Sequence, residues 1–122
     1  MLTDAAFVLI AALTFGALLA VVQLQPGGKP PIPWPLAMLH GALGIAGLIM
    51  MLAAPAAAHA AETGTSAFRA IAATLLVLAL LVGLMILRAR IARRRLSFTL
   101  VGVHAMLAIS GVVLLGAYLA AG

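Results

Sequence analysis

The sequence predicts an all-α integral membrane protein, a four-transmembrane-helix up-down bundle built from two tandem helical hairpins. Three observations carry that expectation. Of 122 residues, 66% are hydrophobic and 7% are charged, a balance that would leave a water-soluble domain with a largely apolar surface. Four apolar stretches, residues 5–24, 34–58, 67–87 and 97–121, are each long enough at about 1.5 Å per residue to cross a hydrocarbon core about 30 Å thick. The second and fourth stretches, finally, align on each other without a gap, histidine on histidine. The chain reads as one transmembrane domain, hairpin 1–58 followed by hairpin 67–121, with little left over for a soluble unit.

The first stretch follows Met-Leu-Thr-Asp with no basic residue and is longer than the apolar core of a cleaved secretory signal, so it is expected to be a permanent span. The segment QPGGKPPIPWP, from Gln25, holds two glycines and five of the six prolines. It must break the helix and form a stiff, extended link. Trp34 then stands at the membrane edge, where an amphipathic indole prefers to sit. The second connection, PAAAHAAETGTSA, breaks around Glu62, Gly64 and Thr65, with Thr65 or Ser66 as the cap of the third span. In the third, RARIARRRLS, a helical end is followed by a tight turn and Ser97 is available as an N-cap.

The net charge of +5 comes mainly from that third connection, where Arg88, Arg90, Arg93, Arg94 and Arg95 lie; Lys29 lies in the first, and the second holds His59, Glu62 and Arg69. Positive charge marks the cytoplasmic side, so connections one and three are expected there and both termini opposite, in a bacterial inner (cytoplasmic) membrane. Topology and contact with anionic headgroups account for the arginines. No aromatic residue is interleaved with them, and nucleic acid is excluded as a partner. The absence of cysteine removes disulfides, thiolate metal sites and covalent haem attachment.

WPLAMLHGALGIAGLIM, starting at Trp34, laid over FTLVGVHAMLAISGVVL, starting at Phe98, pairs Leu36 with Leu100, His40 with His104, Leu43 with Leu107, Ile45 with Ile109 and Gly47 with Gly111. The first and third spans match more loosely, as LTFGALL around Gly16 and LLVGLMI around Gly83. Any two alanine- and leucine-rich helices share some identities, but histidine is rare in such spans. Two hairpins in parallel orientation imply a pseudo-twofold axis along the membrane normal.

His40 and His104 each lie six residues beyond the aromatic that opens their span, which places both about 9 Å below the same interface. An imidazole in hydrocarbon is costly unless its nitrogens are occupied. Three occupations fit: a hydrogen bond between helices, a proton or transport site, or coordination of a metal such as haem iron. Positions four and seven after each histidine return to its helix face, and they are Gly44 and Gly47 in one repeat and Ala108 and Gly111 in the other. Small residues there suit close helix packing or a flat ligand. Gly16, seven before Gln23, and Gly83, five before Arg88, fall near the same depth on the two spans that carry no histidine. A macrocycle held between the histidines would find room against them.

In these positions the chain resembles the membrane-embedded cytochrome b families, whose haem lies inside a four-helix bundle. The resemblance implies axial ligation by His40 and His104, on the second and fourth helices, and porphyrin contact at Gly16 and Gly83, on the first and third. It departs in one respect. Most members carry a second histidine on each ligand helix and hold two haems, whereas His59 lies beyond the second span and has no counterpart in the fourth. One haem b is therefore expected, and a single site near one face cannot by itself carry electrons across the bilayer. Its propionates would meet the arginine cluster, Arg93, Arg94 and Arg95, near the cytoplasmic face.

Two strong axial ligands favour electron carriage over oxygen chemistry, so the expected function is one-electron transfer rather than stand-alone catalysis. The expected partners are the lipid bilayer, a quinone or redox partner protein, and a second copy of the chain in a homo-oligomer. Other readings stand beside it. A proton-coupled exporter needs an intramembrane carboxylate, but Asp4 is terminal and Glu62 is in a loop. A copper-handling protein is suggested by Met38 and Met106, each two residues from a histidine and so on another helix face. The chief rival is a non-catalytic accessory subunit of a larger membrane complex.

Overall fold

Runs of alanine, leucine and valine free of interior proline form four helices in the computed structural model, which describes residues 1–25, 33–55, 66–95 and 97–121. They are α1 (Leu2–Gln23), α2 (Trp34–Ala53), α3 (Ser66–Ile91) and α4 (Phe98–Ala121). Each is long and apolar enough to cross a membrane. No strand occurs among the described residues.

The helix ends follow from local chemistry. Pro33 is the N-cap of α2 and Pro35 stands in its first turn, where a missing N–H leaves no bond unmade. The same helix stops at Ala53, short of the 58 expected from hydropathy. Ala54 is extended at ψ 135°, as a residue preceding proline favours, and Pro55 cannot continue the helix. Ser97 caps α4, its hydroxyl accepting the Leu100 N–H at 3.3 Å. The predicted break at Glu62, Gly64 and Thr65, with Lys29 and His59, falls outside the described residues.

At the end of α3 the Arg93 amide bonds to the Arg90 carbonyl at 3.0 Å and the Arg94 amide to the Ala89 carbonyl at 2.9 Å. This pair of bonds is a Schellman closure, with Arg93 at φ 54° in the left-handed position that glycine usually fills. Arg93→Gly is expected to raise stability by up to about 1 kcal/mol, because the strain of a Cβ there is relieved. Thermal unfolding in detergent checks this, and a lowered midpoint would contradict it.

Each hairpin packs chiefly on itself, and the two meet through α1 with α4 and α2 with α3. The histidine-bearing helices α2 and α4 are therefore diagonal. Ala5, Leu9 and Ala12 are buried on α1, and Ala72, Leu76 and Ala79, each 67 positions on, are buried on α3. Gly47, Met51 and Ala54 are matched in the same way by Gly111, Leu115 and Tyr118, 64 positions on. All these residues belong to one half of the bundle. Gly47 and Gly111 let the helices of each hairpin close there, since a Cβ would stand 2.7 Å from Leu9 Cγ or from Leu76 Cγ. Gly47→Ala and Gly111→Ala are expected to destabilise by about 1–3 kcal/mol through overpacking. Unchanged unfolding midpoints would show that the leucines yield freely.

Arg69, near the start of α3, donates to the Met51 carbonyl at 3.0 Å and to the Ala54 carbonyl. It thereby satisfies carbonyls that the end of α2 leaves without helical partners and places a cation at that helix C-terminus. Large apolar side chains such as Phe7, Ile49 and Val113 point outward, the arrangement a lipid environment requires.

Candidate functional site

The other half of the bundle is hollow. No described residue there is buried, and a cavity of about 640 Å³ lies between the four helices. Voids in packed interiors rarely exceed a water molecule, so a space of this size is far larger than a packing defect and is a candidate binding site. Apart from Thr14 and Leu24, every residue that lines it has a counterpart 67 positions on (α1 to α3) or 64 (α2 to α4) that lines it too. The cavity therefore has the twofold character of the two hairpins.

Its polar groups are few. Thr14 spends its hydroxyl on the Ile10 carbonyl of its own helix, at 3.0 Å. His40 reaches from α2 to α1, where its Nδ1 donates to the Ala12 carbonyl at 2.8 Å. His104 does the same from α4 to α3, with Nδ1 donating to the Ala79 carbonyl at 2.8 Å. A carbonyl can only accept, so each bond assigns the ring proton to Nδ1 and leaves Nε2 with its lone pair. Neither Nε2 has a hydrogen-bond partner among the described residues.

The two rings face each other across the cavity, with centroids 5.9 Å apart and planes at 81°. Direct aromatic contact covers the same distance range, about 4.5–7 Å, so spacing alone does not choose between contact and ligation. The tautomers do. Two nitrogens that can only accept do not complement each other, but both complement a Lewis acid. Bonds of about 2 Å on each side of a metal would set the ring centres about 6 Å apart.

Gly16 and Gly83 act one step nearer to the histidines than expected. A Cβ at Gly16 would stand 2.7 Å from His40 Cε1, and one at Gly83 would stand 3.0 Å from His104 Cε1. In helix register the Ala12 carbonyl already receives the Gly16 amide, and the Ala79 carbonyl that of Gly83. The missing side chain four residues on uncovers the carbonyl's second lone pair and gives the imidazole room to reach it. The glycines thus seat the imidazole rings, while also lining the cavity.

Other expected site residues divide. Gly44 and Ala108, one turn beyond the histidines, line the cavity; Gly47 and Gly111 do not. They share the histidine face but sit about 10 Å further along the axis, which carries them into the packed half against Leu9 and Leu76. Arg93, Arg94 and Arg95 also lie off the cavity. The helix runs on to Ile91, and the closure after it leaves all three exposed. Arg90 is the arginine that lines the cavity, and its side chain donates to Gln23 Oε1 of α1. Gln23 and Arg90 are 67 positions apart, so equivalent residues again meet across the axis.

Sequence reasoning missed the Ala12 and Ala79 carbonyls and the Gln23–Arg90 pair. The signal for the first was a glycine at histidine depth, which points to the carbonyl four residues before it. For the second it was two polar residues at one repeat position in otherwise apolar helices.

No third histidine, cysteine, aspartate or glutamate joins the two imidazoles among the described residues. Two imidazoles fall two ligands short of a tetrahedral zinc site, whereas a metal that brings its own equatorial donors would need no further protein ligand. Met38 and Met106 are 70% and 67% exposed on the outer faces of their helices, which takes their thioethers away from the site. No protein-family model, curated protein or solved structure matches the chain.

Proposed function

We propose that the chain is a membrane b-type cytochrome that binds one haem between His40 and His104 and carries single electrons. The observation that carries this reading is the pair of half-buried imidazoles, each with Nδ1 anchored on a helix carbonyl and Nε2 left as a ligand, lining one symmetric apolar cavity. A carbonyl bond to the outer nitrogen fixes the tautomer and orientation of a ligating histidine and raises its basicity. Haem so bound would supply reversible one-electron exchange at iron with no open coordination position.

The chain's own residues provide the rest. Ala12 and Ala79 hold the rings, Gly16 and Gly83 admit them, and Gly44 and Ala108 keep the walls low enough for a flat group. The apolar lining excludes water. The cavity lies in the half of the bundle that holds the ends of α1 and α3, beside the arginine-rich connection, so the positive-inside rule puts it near the cytoplasmic face. A quinone or a redox partner protein at that face is the natural partner in electron exchange.

Expression with haem supply and purification in mild detergent tests the reading. A Soret band with one haem per chain is expected. Colourless protein that stays folded and takes up no added haem would instead favour the accessory-subunit role.

A further inference from the structure

Gln23 and Arg90 form the one polar pair in the cavity besides the histidines, and their hydrogen-bond arithmetic is unbalanced. A guanidinium can only donate, so the contact between them fixes the Gln23 amide with Oε1 toward Arg90. That bond uses the pair's single side-chain acceptor. Gln23 Nε2 is then left fully buried with no partner, and Arg90 has no carboxylate to balance it among the described residues. A charged donor beside an orphaned neutral donor, both on the wall of a ligand cavity, is complementary to a group that only accepts and is negatively charged. A carboxylate has that chemistry.

Resting on the haem reading, we propose that Gln23 and Arg90 together bind the carboxylates of the tetrapyrrole, with Nε2 of Gln23 and the guanidinium of Arg90 as donors. The twofold arrangement supports this. The pair joins equivalent positions of α1 and α3, as the histidines do on α2 and α4, so both pairs straddle the same axis. A cofactor ligated between the histidines and bearing two acidic groups on one edge would present that edge to both donors. The exposed Arg93, Arg94 and Arg95 have no part in this clamp.

Titration of purified apo-protein in uncharged detergent with haem and with haem dimethyl ester tests the assignment, because the ester keeps the iron and the ring but caps both carboxylates. Wild type is expected to bind haem at least about 10-fold tighter than the ester. Gln23→Leu and Arg90→Gln should each bring that ratio close to one, by weakening haem while leaving the ester unchanged. Arg90→Lys should restore part of the preference, and Arg94→Gln should keep all of it. Circular dichroism and ester binding show that the variants are folded. If wild type binds both compounds equally, or the variants keep the preference, the haem reading stands and the clamp is overturned. If neither compound binds, the haem reading fails and the clamp falls with it. Equal binding of the two compounds, with wild type but not Arg90→Gln retaining anionic lipid through purification, would instead assign the pair to a headgroup phosphate.

Discussion

Replacing either His40 or His104 by alanine is expected to abolish a six-coordinate low-spin haem spectrum and to lower haem affinity by about 100-fold or more. In the proposed reading each ring would supply one nitrogen to the iron, and each is held by a single carbonyl bond of 2.8 Å that disappears with it. The loss should be alike for the two residues, because their surroundings are related position by position. His59→Ala should leave the spectrum unchanged. Unchanged spectra in both single variants would remove the histidines from the site.

Gly16→Leu and Gly83→Leu are expected to cost most of the bound haem, whereas Gly116→Leu should retain it. A Cβ alone at Gly16 would overlap His40, and at Gly83 it would crowd His104; nothing lies within 4 Å of a Cβ at Gly116. A leucine at either of the first two positions must push the imidazole off its carbonyl, losing a hydrogen bond worth about 1 kcal/mol and the orientation of the ligand with it. Helix content should be the same in all three. The measurement is the ratio of Soret to protein absorbance after purification, and equal ratios would make these glycines general packing residues.

Hydropathy made the number and approximate limits of the helices legible, because a hydrocarbon environment leaves little choice of structure. It overshot at α2, where Pro55 and not hydropathy decides the end. The histidine pair and the two glycines beside it were legible through repetition, since a polar residue that recurs in register in apolar helices has few accidental explanations. Depth along the axis was harder to read. Face periodicity placed Gly47 and Gly111 with the histidines, but it does not say where the cavity ends and the packed core begins. The arginines show a related limit. Charge counting weighs all five residues of the third connection alike, whereas the length of α3 brings Arg90 to the cavity and turns Arg93, Arg94 and Arg95 outward. Backbone partners such as the Ala12 carbonyl are signalled only indirectly, by the glycine four residues on, and emerge only when the helices are placed together.

The proposed function requires one haem shared by His40 and His104. Oxidised and reduced absorption spectra of the purified wild type, read against the His40→Ala, His104→Ala double variant at equal protein concentration, test it most directly. One haem per chain is expected, with a Soret band that shifts and sharp α and β bands that appear on reduction in the wild type, and none of this in the double variant. Wild-type protein that is folded yet lacks the bands, or a double variant that shows them undiminished, would contradict it.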